Sequence, residues 1–276
     1  MGRLELQVAV RGQRSVAVHQ YHQGALRVLR PHYLDDSGQV CFVLVNPGGA
    51  YLGADLFLID VEVAEGGDLL LTTQSATKIY RTPGSFAEQR MTLRLGERAR
   101  LELAPDQLIA YREASYRQNT HITVRPSSSL VMAEVITPGW SPDGASFRYE
   151  ELRLRNEIVV ETDDGARLLA LDNLLIRPLA ADVTGMGFME GFSHLGSLVV
   201  VDARVNQVLS DELHALTLDH KAHTGISLTR TLAGTTGLVL RSLSNSTEEL
   251  NRLLGTCTAL LRERWHQQEP LNLRKY

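Results

Sequence analysis

The sequence predicts a mainly β protein, and three observations carry that expectation. Apolar residues recur with a period of two over much of the chain. Glycine- and aspartate-rich turns punctuate the runs. Helical spacing is confined to two segments near the C-terminus. At 57–63, Phe57, Ile59, Val61 and Val63 share one face while Asp60 and Glu62 point the other way. Met91, Leu93 and Leu95 repeat the pattern, as do Leu101 and Leu103 around Glu102, and Leu152 and Leu154 around Arg153. Val40 to Val45, Leu69 to Leu71, Leu130 to Ile136, Leu198 to Val201 and Gly237 to Leu240 are continuous apolar runs, the pattern of strands buried on both faces.

Turns separate these strands at Asp35-Asp36-Ser37-Gly38, Pro47-Gly48-Gly49, Glu65-Gly66-Gly67-Asp68, Leu95-Gly96-Glu97, Pro142-Asp143-Gly144 and Asp163-Asp164-Gly165. Glycine supplies positive φ, and Asp bonds its own backbone. From Ser246, Leu250, Leu253, Leu254, Cys257, Leu260 and Leu261 fall at helical spacing. Ser246 with Glu249 has the form of a capping box. Ser210-Asp211-Glu212, with Leu213 and Leu216, suggests a shorter helix whose early acids suit the dipole. No linker composition divides the chain. It reads as one domain over 1–276: β-rich over 1–205, a short helix about 210–220, a strand about 237–244 and a C-terminal helix about 246–266. Strand spacing leaves sandwich, barrel and solenoid open, and no strict short repeat is visible.

The composition narrows the function. The chain has 276 residues, 28 Lys plus Arg and 32 Asp plus Glu, a formal charge of −4. That balance disfavours nonspecific nucleic-acid binding. Two distant cysteines, Cys41 and Cys257, argue against a disulfide scaffold or a thiolate zinc site and fit a reducing compartment. The alternating segment from Met1 to His22 does not resemble a signal peptide, and no run approaches the roughly 18 apolar residues of a membrane span. A soluble, cytoplasmic protein is expected.

Catalytic signatures are missing. There is no P-loop and no His-Glu-x-x-His. Gly185-Met186-Gly187 lacks the dinucleotide spacing, and Gly191-Phe192-Ser193-His194-Leu195 has Leu where a nucleophile elbow needs Gly. His220 and His223, with His214 upstream, form a local histidine cluster that could hold a metal; the plainer reading is a polar loop after the short helix. The carboxylates are more informative. Asp55 follows a glycine-rich turn, Asp60 lies five residues on, and strand alternation can put Asp60 and Glu102 in solvent. Glu134 sits inside Leu130-Val131-Met132-Ala133-Glu134-Val135-Ile136 and needs a partner, a hydrated cavity or a ligand, because a carboxylate in a dry core is costly. Thr72-Thr73-Gln74-Ser75-Ala76-Thr77-Lys78 is a polar stretch directly after three leucines.

These residues carry a family resemblance. Asn46-Pro47-Gly48-Gly49-Ala50-Tyr51-Leu52-Gly53-Ala54-Asp55, then Asp60, then Leu71 through Arg81, resemble the signature of the urease accessory protein UreD (UreH) family. The likeness continues through Leu101 to Ile109, Pro138-Gly139-Trp140, Phe147, Gly234 to Arg241 and the capped helix after Asn245-Ser246. One departure is Ala54, where many members carry a second Gly.

The resemblance implies an irregular, two-layered β-helix-like domain with a short helical C-terminal portion, and no catalysis. It implies a scaffold bridging UreF and the GTPase UreG to the urease apoprotein, as a dimer of UreD–UreF heterodimers. It also implies a hydrated internal route for nickel, bound in transit and never tightly. By the same analogy Asp55, Asp60 and Thr77 are expected to line that route, with Glu102 and Glu134 as additions and Lys78 paired to one of them. The UreF contact is expected in the C-terminal region from about Asn245 to Tyr276, with Leu253, Leu254, Leu260 and Trp265 as the contact residues by position. Chemistry agrees in one respect: imidazole and thiolate would hold nickel, whereas carboxylates and hydroxyls around water are replaceable partners. The competing reading is a β-helical carbohydrate-active enzyme with paired carboxylates in a cleft, disfavoured by few aromatics and missing motifs.

Overall fold

The computed structural model describes residues 1–232 and 234–273. The chain opens with a hairpin, β1 (Gly2–Arg11) and β2 (Arg14–Gly24), followed by a short β3 (Arg27–Val28). It then winds back and forth between two sheets. β4 (Val40–Val45) leads to β5 (Leu56–Val63). β6 (Asp68–Thr73) and β7 (Thr77–Ile79) lead to β8 (Ala87–Leu95). β9 (Arg100–Ala104) and β10 (Leu108–Ala110) lead to β11 (Ser115–Val124), and β12 (Ser129–Ile136) leads to β13 (Glu151–Thr162). β5, β8, β11 and β13 stack in parallel on one side, and β4, β6, β9 and β12 in parallel on the other. Each strand–crossover–strand passage is one coil of a solenoid.

Antiparallel strands close the far end. β14 (Gly165–Ile176) pairs with β13. β15 (His194–Val201) pairs with β12, and β17 (Thr236–Ser244) lies between β15 and β16 (His223–Arg230). The result is a seven-stranded sheet facing a ten-stranded one. Helix α1 (Gln207–Thr217) precedes β16, and α2 (Thr247–His266) ends the fold. This is the two-layered, β-helix-like arrangement with a helical C-terminal portion that the resemblance implied.

Register explains the interior. In the seven-stranded sheet Leu6, Val61, Leu93, Ile122 and Ile158 form one row, and all are buried. In the other sheet Val40, Leu69, Leu101, Leu130 and Val201 do the same. These rows interleave into the main core. A second core lies on the other face of the ten-stranded sheet, where Val131, Leu198, Val200, Leu238 and Leu240 are covered by Leu209 and Leu213 of α1 and Leu250, Leu253, Leu254 and Leu261 of α2.

α1 starts earlier than expected, and α2 starts where expected. α1 begins at Gln207, capped by Asn206, whose Oδ1 accepts from Leu209 N at 3.0 Å; Ser210 is inside it and buried. At α2, Ser246 caps as expected, with Oγ accepting from Glu249 N at 3.3 Å. Glu249 does not complete the box. Its carboxylate instead accepts from Lys221 N and His220 Nδ1, and pairs with Arg252. The continuous run Val40–Val45 is a strand with those bounds and Leu130–Ile136 lies within β12, whereas the edge strand β16 carries only Ile226 and Leu228 as apolar residues and was not expected.

Candidate functional site: a polar cavity between the sheets

Away from the apolar rows the inward positions turn polar in both sheets. In the seven-stranded sheet one row reads Leu4, Ile59, Met91, Thr120, Asn156, Asp172, and the next reads Phe57, Gln89, Gln118, Leu154. In the ten-stranded sheet Thr73 lies one inward position beyond Leu71, Glu134 one beyond Met132, and Glu134 aligns with Ser197 and Arg241. These positions meet around a cavity lined by Gln89, Gln118 and Thr120 from one sheet and Thr73, Thr77 and Glu134 from the other. The space open to water centres is about 90 Å³. One water needs roughly 10–15 Å³ of such space, so several fit.

Glu134 is the acid that both sheets hold. Gln118 Nε2 donates to Oε1 and Asn156 Nδ2 to Oε2, each at 2.8 Å. Tyr116 Oη orients Gln118 by donating to its Oε1 at 3.1 Å, and Tyr51 Oη donates to Gln89 at 2.7 Å. Burial raises the Glu134 pKa above its ordinary value; the two amide donors and Arg241 work against that rise, and Asp172 adds to it. Asp172 and Arg241 form an ion pair between the two sheets. Nearby, the buried atoms Asn156 Oδ1 and Ser197 Oγ find no hydrogen-bond partner among the described residues.

Exposed lining residues Gly49, Gln74 and Ser75 mark the mouth of the cavity. Elsewhere the cavity borders an interruption in the β9–β12 ladder of the ten-stranded sheet. β9 and β12 pair from Arg100↔Ser129 to Leu103↔Met132, and pairing with β12 resumes at Leu108↔Ile136. Between them lies Pro105, which has no N–H to give to a ladder. Hydroxyls knit the gap: Thr72 Oγ1 donates to Ala104 O at 2.6 Å, and Asp106 N donates to Thr73 Oγ1 at 2.9 Å. Pro105, Asp106 and Glu134 line the cavity on one side and, on the other, a groove of about 310 Å³ under Asn251, Leu254, Gly255 and Thr258 of α2. The polar stretch Thr72–Lys78 therefore borders the interruption in the ladder.

The other expected residues are placed differently. Thr77 and Lys78 line the cavity, but no carboxylate lies within ion-pair distance of Lys78 among the described residues. Asp55 is at the edge of the fold, accepting from Leu52 N at 2.9 Å and lying 3.8 Å from the N-terminal amine. Asp60 stands on the outer face, 3.1 Å from Arg94 Nη1, because its neighbours Ile59 and Val61 face the core. Glu102 also points away from the inter-sheet core, yet it is not in solvent. α2 covers it, and it pairs with Arg100 and with Arg262, whose Nη1 lies 2.7 Å away.

His220 and His223 do not converge. His220 bonds Glu249 at 3.1 Å, while the His223 ring packs on Phe192. Among the described residues no group of three His, Cys, Asp or Glu could hold a metal ion. Leu253 and Leu254 are buried on the inner face of α2, Leu260 packs against the same core, and Trp265 lies under the Arg204 guanidinium at 4.4 Å. Leu253 and Leu254 thus hold the helix to its own sheet. Arg274 to Tyr276, part of the stretch expected to contact UreF, lie outside the described residues. Sequence reasoning missed Gln118, Asn156, Asp172, Ser197 and Arg241, whose common facing follows from register alone.

Comparison with known proteins decides the family. The model of the UreD urease accessory protein family matches residues 1–275. This chain belongs to the UreD family. It is 83% identical over 276 residues to the urease accessory protein UreD of Arthrobacter sp. (strain FB24), covering 100% of this chain and 94% of that one. It is 76% identical over 275 residues to UreD of Paenarthrobacter aurescens (strain TC1), covering 100% and 95%. UreD of Corynebacterium glutamicum (strain ATCC 13032) is 46% identical over 280 residues, covering 100% and 98%. No helix of the described residues is long and apolar enough to cross a membrane.

Proposed function

We propose that this UreD-family chain is a non-catalytic, cytoplasmic scaffold and metallochaperone subunit in urease maturation. It bridges UreF and the GTPase UreG to the urease apoprotein, as a dimer of UreD–UreF heterodimers. Nickel passes through its interior as cargo, weakly and transiently bound. The observation that carries this reading is the cavity around the buried Glu134, which shares Pro105, Asp106 and Glu134 with the groove under α2. The polar part of an otherwise largely apolar wall offers oxygen donors, from Thr73, Thr77, Gln118, Thr120, Asp106 and Glu134, and among the described residues its lining includes no His or Cys. Water-bridged carboxylates, amides and hydroxyls exchange a divalent ion, where imidazole or thiolate would retain it. One buried carboxylate balances entry against release. When ionised it attracts a cation, and burial makes its charge hard to keep without one.

The carbohydrate-enzyme reading loses ground on geometry. Asp60 and Glu102 lie on different faces of different sheets, so they cannot flank one glycosidic bond.

The test is co-expression of the Glu134→Gln variant with UreF, UreG and urease. Size-exclusion chromatography is expected to show the complex intact while the nickel content of the urease falls. Full nickel loading by the variant would remove Glu134 from the route. Failure of the wild-type chain to associate with UreF or urease would reject the scaffold role.

A further inference from the structure

Gln118 could present either end of its amide to Glu134. The amide oxygen and the NH2 group are nearly the same size, so packing alone does not choose between them. A hydrogen-bond partner on the far side of the amide does. Tyr116 and Gln118 are two apart on β11, so both point inward. Tyr116 Oη donates to Gln118 Oε1 at 3.1 Å, and Gln118 Nε2 donates to Glu134 Oε1 at 2.8 Å. With its oxygen engaged by a hydroxyl, the amide meets the carboxylate nitrogen-first. Turned over, it would set oxygen against oxygen and lose the bond to Glu134.

Packing places the hydroxyl. Tyr116 is fully buried, and its register partners are the buried Ala87 on β8 and Leu152 on β13. Its ring meets that of Tyr51 edge-on with centroids 5.8 Å apart, and Tyr51 stacks on Phe57 at 3.8 Å. Rings packed in this way leave a hydroxyl little freedom to withdraw. The arrangement recurs one coil earlier. Gln89 aligns with Gln118, and Tyr51 Oη donates to Gln89 Oε1 at 2.7 Å. Both glutamines line the cavity, and each has its oxygen held by a buried tyrosine.

Carboxylates that meet a cation take their orientation from the groups that hydrogen-bond them. Glu134 has two such groups. Asn156 Nδ2 on β13 holds Oε2 at 2.8 Å, and Gln118 holds Oε1. Asp172 and Arg241, the charged groups facing it from β14 and β17, pair with each other.

We propose that Tyr116 is a positioning residue for Glu134: by engaging Gln118 Oε1 it fixes Gln118 as a donor to the carboxylate, and so sets the direction in which Glu134 offers its remaining lone pairs to a cation in the cavity. This rests on the function proposed above, in which that cation is nickel.

The test has one arm without nickel and one with it. The first uses the full chain labelled with 15N at glutamine, in which Gln118→Leu identifies the Gln118 side-chain resonance by its loss. Tyr116→Phe keeps the ring and removes the hydroxyl. It is expected to move that resonance and to quicken hydrogen exchange of the Gln118 NH2 group by about tenfold, whereas Tyr51→Phe leaves the resonance in place. The second arm uses the chain assembled with UreF, UreG and urease. Tyr116→Phe is expected to lower the nickel content of urease toward the Glu134→Gln level, and the double variant to match Glu134→Gln alone, because both changes act through one carboxylate. Gln118→Leu is expected to lower nickel in the same way and serves if Tyr116→Phe misfolds. An unmoved Gln118 resonance in Tyr116→Phe, or additive losses in the double variant, would overturn the assignment. So would full nickel loading by Tyr116→Phe where Glu134→Gln is nickel-poor. If Glu134→Gln also loads urease fully while the resonance moves, the function proposed above fails and the positioning of Gln118 stands.

Discussion

Ala54 adopts φ +64°, a left-handed conformation that costs an L-residue energy and glycine none. The backbone at this position therefore favours glycine. Ala54→Gly is expected to stabilise the chain by about 1 kcal/mol, read as a higher urea midpoint at unchanged slope.

Titration adds a second test. Burial, helped by the Arg100 and Arg204 charges, lowers the His266 pKa to about 4. The unfolded chain takes up that proton near 6.5. Between those values the unfolded state binds more protons, so stability is lost as the pH falls from about 6.5 to about 4. His266→Gln is expected to flatten that part of the curve in urea melts at pH 7.5 and pH 5. Glu134 runs the other way. Its raised pKa makes stability fall as the pH rises above the ordinary carboxylate value, and Glu134→Gln escapes that loss.

Glu134 was legible in the sequence because apolar residues and Ala surround it. Its partners Gln118 and Asn156 were not, because each sits in an alternating strand where a polar residue normally means solvent.

Helix α2 owes its position to apolar packing and to a buried polar cluster. Arg262 donates to Glu102 Oε1 at 2.7 Å and to Glu269 O at 2.9 Å, while Gln268 Nε2 reaches Ser37 Oγ at 2.7 Å. The helix periodicity announced Leu250, Leu253, Leu254 and Leu261. It could not announce that Glu102, far away in sequence, waits beneath Arg262. Glu102→Ala leaves Arg100 and Arg262 short of their shared carboxylate in a buried site. It is expected to cost about 3–5 kcal/mol in chemical denaturation. Asn206→Ala at the start of α1 removes one cap and is expected to cost only about 1 kcal/mol. The expected start at Ser210 came from reading acids as the first turn, when a better capping residue lay four positions earlier.

At the scale of the whole molecule, alternation distinguished strands from helices but not a solenoid from a sandwich. The difference lies in which strands pair, and Leu69, Leu101 and Leu130 reveal it only once they are seen in one row. The same stacking makes the cavity. Polar residues at matching levels of successive coils are scattered in sequence and contiguous in space, and the ladder is interrupted at Pro105 beside them.

The function proposed here depends on that interior being wet and passable. Thr120 lines the cavity and is buried, so Thr120→Phe fills part of that space. The decisive measurement is the nickel content of urease matured by this plugged variant, with assembly of the complex verified by size-exclusion chromatography. The account predicts an intact complex and nickel-poor urease; an intact complex delivering the full complement of nickel would contradict it.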